Sequence, residues 1–192
     1  MLKNLFKKKT KTIDRLSAFN VEHFLLDAIE ALESKDYEEA VKRFSLLAEA
    51  YPDHPLARLM LGRSHLEMKH FPQAIEEFYK YLNVVPNSVE AMIYLGLAYF
   101  ECNEFALAQA RFEEAVKLRA SSLAWENLLI TKISAGRLDD ALNDLIALNK
   151  DNPADKDVLE LLVLTLGKMG KWEAAKQYIH HNAGGPEVPA KV

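Results

Sequence analysis

The chain has 192 residues, of which 49% are hydrophobic and 27% are charged, as in an ordinary globular protein with a real core. Its single cysteine, Cys102, excludes a disulfide scaffold and a multi-cysteine zinc site. Seven glycines and seven prolines are too few for a turn-rich β-sandwich, and no apolar run approaches the roughly 18–20 residues that span a bilayer.

Charge is unevenly distributed along the chain. The first 20 residues carry a net charge of +5 and residues 21–192 carry −9, which together give −4. An acidic domain repels phosphates, so the composition argues against nucleic-acid binding. The basic segment lacks the continuous apolar stretch of a secretory signal peptide, and the expected location is the cytoplasm.

Three interpretations of the basic segment stand side by side. It is a solvated tail. It makes a weak, salt-sensitive contact with an anionic membrane surface, with Leu2, Leu5 and Phe6 dipping in. Or residues 13–19 form a short helix that packs on the first repeat. The lysines concerned are Lys3, Lys7, Lys8, Lys9 and Lys11.

From residue 21 onward the sequence repeats itself. Five times a bulky apolar residue is followed three positions later by alanine, and both series advance by 34, 34, 33 and 34 residues. A third apolar series keeps the same steps, and three registers that agree over five units indicate a repeat architecture. The series are Tyr37, Phe71, Phe105, Leu138 and Trp172; Ala40, Ala74, Ala108, Ala141 and Ala175; and Phe44, Phe78, Phe112, Leu145 and Ile179.

Each unit is predicted to form two helices joined by a short turn. Apolar residues recur at helical spacing in the first half, turn formers follow, and β signals are nearly absent. Pro52, Pro86 and Pro153 close three units, where a proline cannot continue a helix. The predicted layout is a basic segment (1–20), a repeat domain (21–182) with units at about 21–54, 55–88, 89–121, 122–155 and 156–182, and a flexible tail (183–192).

This pattern resembles the tetratricopeptide repeat, a 34-residue helix–turn–helix unit. The match is best in the third unit, with Leu95, Gly96, Tyr99, Ala108 and Phe112. The resemblance covers most of the chain and implies an all-α fold, an α-solenoid whose repeats stack into a right-handed superhelix. In the family the first helices line a concave groove that binds peptides or helices of other proteins, and no catalysis, cofactor or metal is expected of the scaffold.

The resemblance places ten candidate residues in that groove. A large exposed apolar surface marks a binding site, so the predicted function is a non-enzymatic scaffold or adaptor that binds an apolar helix or peptide of another protein. The alternative is a secretion-type or assembly chaperone that shields a client protein. A rival interpretation treats most of these residues as internal packing. The candidates are Leu59, Met60, Arg63, Ile93, Tyr94, Leu97, Phe100, Glu126, Asn127 and Ile130.

Other chemistry has little basis in the sequence. The carboxylate clamp by which some family members hold acidic tails needs cationic residues that these positions lack. The histidines show no metal-ligand spacing, and Cys102 is expected to be a buried thiol without a catalytic partner. Because no polar capping helix follows the last unit, Leu162, Leu166 and Ile179 are expected to be partly bare, which would allow self-association through the C-terminal repeat.

Overall fold

A computed structural model describes residues 18–52 and 54–182, and every regular element within these ranges is an α-helix. The predicted all-α fold of tandem helix pairs, an α-solenoid by class, is therefore confirmed. The basic segment up to residue 17, with its five lysines, and the tail from residue 183 lie outside the described residues. The described helices are α1 (Ala18–Glu33), α2 (Tyr37–Ala50), α3 (Pro55–Glu67), α4 (Phe71–Val84), α5 (Val89–Glu101), α6 (Phe105–Leu118), α7 (Ser122–Ser134), α8 (Leu138–Asp151), α9 (Lys156–Lys168) and α10 (Trp172–Asn182).

The repeat length is divided in the same way each time. Three residues separate the two helices of each pair, and four separate one pair from the next, except after α6, where there are three. The single 33-residue step therefore shortens the link at 119–121 and leaves the helix lengths unchanged. Pro52, Pro86 and Pro153 lie in the four-residue links, where the sequence predicts that helices end.

The helices divide into two compact units, which part between residues 102 and 103. Helices α1–α5 belong to the first unit and α6–α10 to the second. Within each unit every helix packs against the next one in the chain. Each unit also has its own apolar core, which includes Phe44 and Phe78 in the first unit and Leu145 and Leu162 in the second.

The recurring small residues lie where helices approach one another closely. All five alanines of the repeated series are at most 4% exposed, and the three phenylalanines of the third series are fully buried. Leu145 is fully buried as well, whereas Ile179 in the last helix is half exposed. Burial therefore confirms the register that the sequence predicts for these positions, with an exception at the end of the last repeat.

Charged side chains that enter the core are paired within their own unit. Glu77 is 9% exposed and accepts hydrogen bonds from Arg58 at 3.0 Å and from Lys80 at 2.6 Å. In the second unit, Lys132 of α7 is similarly buried and donates to Asp144 of α8. The Arg58–Glu77 and Lys132–Asp144 pairs each join two neighbouring helices, and they offset the cost of burying a charge.

The turn inside each helix pair contains one residue in the left-handed conformation. Residues 35, 69, 103, 136 and 170 have φ between +59° and +76° and follow the repeat steps. At four of these turns the N–H of the following residue bonds to the carbonyl oxygen five residues back, the Schellman arrangement that ends a helix. Glycine fills the last two positions, whereas Lys35, Lys69 and Asn103 fill the others.

We expect Lys69→Gly to raise the free energy of unfolding by about 0.5–1 kcal/mol, because a left-handed φ costs an L-residue roughly 1–2 kcal/mol and glycine loses part of this gain as chain entropy. The Lys69 side chain is exposed, so Lys69→Ala is the matched control and should change stability by less than about 0.5 kcal/mol. Urea denaturation measures both variants. Equal stabilities for the two would contradict the expectation.

A second regularity lies at the start of the first helix in four of the pairs. Helices α3, α5, α7 and α9 each follow a residue whose side chain accepts a hydrogen bond from the backbone N–H three residues further on. Each of these side chains satisfies one of the donors that a helix start leaves without an intrahelical partner. The capping residues follow the repeat steps and are His54, Ser88, Ser121 and Asp155.

Two expectations about exposure are wrong. Leu162 and Leu166 are fully buried, because Ala175 and Tyr178 of α10 pack in the same apolar cluster and cover them. Self-association through the C-terminal repeat therefore no longer follows from these two leucines. Cys102 is exposed rather than buried, because it lies just beyond the last residue of α5 as its C-cap.

Candidate functional site

Seven of the ten candidate residues lie on α3 and α5 of the first unit, and burial divides them. Leu59, Met60 and Ile93 are at most 9% exposed, so they contribute to packing rather than to an open surface. Helix α3 packs against α2, α4 and α5, so a wide stripe of its circumference is covered. The other four are half-buried: Arg63, Tyr94, Leu97 and Phe100.

Tyr94 belongs both to the core and to the surface. Its ring stacks on the fully buried ring of Phe78, with centroids 5.7 Å apart and planes at 16°. Burial raises the pKa of the Tyr94 hydroxyl above its ordinary value; the nearby Arg63 guanidinium opposes this shift, and a hydrogen bond with the Glu90 carboxylate adds to it. The hydroxyl therefore stays neutral and provides a polar edge beside the apolar side chains. Because Tyr94 supports the core, Leu97 is the cleaner probe of this face.

His65 lies on α3 with its ring centroid 6.0 Å from that of His70. Its Nδ1 atom is buried and has no hydrogen-bond partner among the described residues. Burial first, and then the neighbouring His70, lower the pKa of His65 below its ordinary value, although Glu77 and Glu76 act in the opposite direction. The ring is therefore held neutral near pH 7, with one polar atom that the fold leaves unsatisfied.

We expect the protein to lose stability as the pH falls below about 6.5, the ordinary histidine pKa. The unfolded chain binds a proton at His65 more readily than the folded chain does. The stability that follows from the lowered pKa of His65 is therefore fully present above a pH of about 6.5, and it is lost as the pH falls toward the pKa that His65 has in the folded chain. His65→Phe should remove this dependence and, because it also removes the unsatisfied nitrogen, add about 1 kcal/mol at neutral pH.

Thermal melts between about pH 7.5 and 5 measure this effect. The matched control is His180→Phe, which makes the same substitution at an exposed histidine of α10 and should not reproduce the effect of His65→Phe. Melting temperatures that fall equally steeply in the wild type and in His65→Phe would contradict the role of His65.

In the second unit, an open cleft of about 410 Å³ lies along α9 beside Glu126 of α7. Three apolar side chains of α9 and three carboxylates from both helices line it, and no basic side chain does. Within the described part of the chain the three carboxylates form no ion pair. The lining residues are Glu126, Asp157, Glu160, Leu161, Val163 and Leu164.

The three remaining candidate residues lie on α7. Glu126 is exposed at the cleft. The Asn127 amide donates to the carbonyl oxygen of Leu123 at 2.8 Å, so it is engaged with its own helix. Ile130 is half-buried one turn further on. Of these three, the structure therefore brings Glu126 alone into the cleft, together with residues of α9.

The type of residue at the fifth position of each repeat differs between the two units. It is Leu25, Leu59 and Ile93 in the first unit, and Glu126 and Glu160 in the second. Leu59 and Ile93 are buried, whereas both acids are exposed and line the cleft. The ten candidates omit Glu160, although this change from apolar to acidic at one repeat position is visible in the sequence.

The described residues offer recognition chemistry. Among them, no group of three or more His, Cys, Asp or Glu side chains is arranged to hold a metal ion. No described helix is both long enough and apolar enough to cross a bilayer. The surface of α3 and α5 presents apolar contact area, the Tyr94 hydroxyl and the Arg63 guanidinium, and the cleft beside α7 and α9 presents apolar area and carboxylates. Groups of these kinds bind peptides and helices.

Comparison with protein families identifies the repeat. Two family models described as tetratricopeptide repeat match residues 31–82 and 59–122. The chain is a tetratricopeptide-repeat protein. Tetratricopeptide repeats are typically protein-interaction modules without catalytic activity, and the chain is a protein-interaction scaffold in this general sense.

Solved tetratricopeptide-repeat structures share the fold over most of this chain. A crystal structure of MamA protein has a TM-score of 0.76 at 19% identity and covers 90% of this chain and 100% of its own. MamA 41-end from Desulfovibrio magneticus RS-1 has a TM-score of 0.74 at 16% identity, covering 85% and 93%. YrrB, described as "a TPR protein with an unusual peptide-binding site", has a TM-score of 0.70 at 18% identity, covering 92% and 91%. No curated protein sequence matches the chain.

Proposed function

We propose that this tetratricopeptide-repeat protein is an adaptor that binds an apolar helix or peptide of another protein on the face formed by α1, α3 and α5. These three first helices are neighbours, since α3 contacts both of the others. The observation that supports the proposal is apolar surface left uncovered there: Leu26 is 64% exposed, and Leu97 and Phe100 are half-buried. Uncovered apolar area on adjacent helices suits the apolar face of a partner helix.

The edges of this face indicate the chemistry of the partner. Three exposed acids lie on these helices: Glu22 on α1, Glu67 on α3 and Glu90 on α5. Arg63 lies on α3, one turn before Glu67, and is half-buried. A partner segment with apolar anchors and basic flanking residues would place its charges opposite these acids. YrrB, whose solved structure has a similar fold, is described as having an unusual peptide-binding site, which supports a peptide-binding role for this chain.

Capture of partners by the immobilised full-length chain tests the proposal. Leu26→Glu and Leu97→Glu should each reduce the captured partner by at least about tenfold, because a charge in an apolar interface must be desolvated. Asn83→Glu is the matched control, since it introduces the same charge at an exposed position of the second helix α4.

Circular dichroism and the melting temperature establish that each variant folds, and the high exposure of Leu26 makes its replacement safe in this respect. If Leu26→Glu and Asn83→Glu capture equal amounts of partner, the proposal is wrong. Co-expression separates the adaptor from the chaperone alternative: a client that is insoluble without this chain favours the chaperone, and a soluble, stable complex favours the adaptor.

A further inference from the structure

The cleft between α7 and α9 has properties that the adaptor proposal does not use. Its apolar wall contains Leu161 and Leu164, and on α7 Leu123, one turn before Glu126, is 55% exposed. Its volume of about 410 Å³ is more than ten times the roughly 30 Å³ that one water molecule takes up in the liquid, so it can hold several side-chain groups. Glu126 and Glu160 add negative charge that nothing within the described residues neutralises.

Residues 2–11 of the same sequence have the complementary composition. They contain five lysines and no acid, and the first acid of the chain is Asp14. Leu2, Leu5 and Phe6 are spaced i, i+3 and i+4, the spacing that places three side chains on one side of a helix. A segment that contains apolar residues and lysines matches an apolar cleft flanked by carboxylates in both charge and hydrophobicity.

We infer that the cleft binds residues 2–11 of a second copy of this chain. Each copy then offers one basic segment and one acidic cleft, so the contact is head to tail and copies can associate in series. Apolar contact provides the shape-dependent part of the affinity, and the lysine–carboxylate attraction provides orientation and a strong dependence on salt. The inference does not depend on the partner proposed for the face of α1, α3 and α5.

Sedimentation velocity of the full chain at rising concentration tests this inference, at low salt and at about 0.3 M salt, where screening shortens the range of the attraction. We expect concentration-dependent association that salt weakens. Glu126→Lys with Glu160→Lys should weaken it by at least about tenfold, and so should Lys7→Glu with Lys8→Glu. An equimolar mixture of the two double variants should associate again, because the unaltered segment of the cleft variant meets the unaltered cleft of the segment variant, and the reversed cleft meets the reversed segment.

The matched control carries the same charge change elsewhere in the second unit. Asp139→Lys with Asp151→Lys alters two exposed acids of α8 and should leave association unchanged. As a second measurement, a labelled peptide of residues 1–12 should bind the wild-type chain saturably by fluorescence anisotropy, and a scrambled peptide of equal charge should bind at least about tenfold more weakly.

Three results would each overturn the inference. The first is a chain that stays monomeric at every concentration in low salt. The second is association that the control variant weakens as much as the cleft variant does. The third is binding of the basic segment to anionic vesicles when the wild-type chain does not bind the labelled peptide. All of these leave partner capture by α1, α3 and α5 unaffected, so failure here is distinguishable from failure of the proposed function.

Discussion

Phe78→Ala is expected to lower the free energy of unfolding by about 3–5 kcal/mol, a large fraction of the 5–15 kcal/mol that stabilises a typical domain. Phe78 is fully buried on α4 and its ring lies flat on that of Tyr94. Removing the ring loses its own burial and leaves a cavity beside α3 and α5 that tightly packed helices can close only in part.

Urea denaturation followed by circular dichroism measures this loss, with Val84→Ala as control. Val84 lies on the same helix but is half exposed, so its truncation should cost less than about 0.5 kcal/mol. Both tryptophans, Trp125 and Trp172, belong to the second unit, so their fluorescence follows that unit alone while circular dichroism follows both. A Phe78→Ala variant within about 1 kcal/mol of the wild type would show that the ring contributes little to the core.

Gly62→Ala is expected to have the second large effect, because it adds a methyl group where α3 already packs tightly on the Phe78 ring. A Cβ atom at Gly62 would lie 2.6 Å from Cε1 and 2.8 Å from Cδ1 of Phe78. The ring cannot move aside easily because it is enclosed and its face rests on Tyr94. Overpacking of this kind costs about 1–3 kcal/mol or more, which outweighs the gain of roughly 1 kcal/mol in helix propensity.

A double-variant cycle isolates the contact. Phe78→Leu should be less harmful in the Gly62→Ala background than in the wild type, because the shorter side chain makes room for the new methyl group. Chemical denaturation of the four proteins gives the coupling free energy, which we expect to favour the double variant by about 1 kcal/mol. Strict additivity of the two changes would show that Gly62 and Phe78 do not press on each other.

Much of the fold could be predicted from the spacing of apolar and small residues along the sequence. Ala74 and Phe78 sit one helical turn apart in α4, and the corresponding residues recur at every 33 or 34 positions. A repeat of that length with helical periodicity has few ways to bury its small and aromatic residues other than against the neighbouring helices. The 33-residue step was also visible, although only the structure shows that it shortens a link rather than a helix.

The exposure of the candidate residues could not be predicted from the sequence, because exposure depends on neighbours that the register alone does not describe. Leu59 and Leu97 share the apolar character expected of a groove, yet Leu59 is buried and Leu97 is half-buried. The same limit explains Leu162, whose covering by Tyr178 depends on how the last helix packs. Within the second unit, the sequence shows the acids of α7 and α9 but not that they share one cleft.

The amino-acid sequence alone determined the family, the helix pairs, their register and the asymmetry of charge between the basic segment and the repeats. These are properties of local spacing and composition, which a chain carries whether or not it is folded. The tertiary structure decided which apolar residues are covered, that Cys102 is exposed, and that the carboxylates of two helices meet at a cleft. Those outcomes depend on distances between helices, which packing fixes and which linear spacing does not contain.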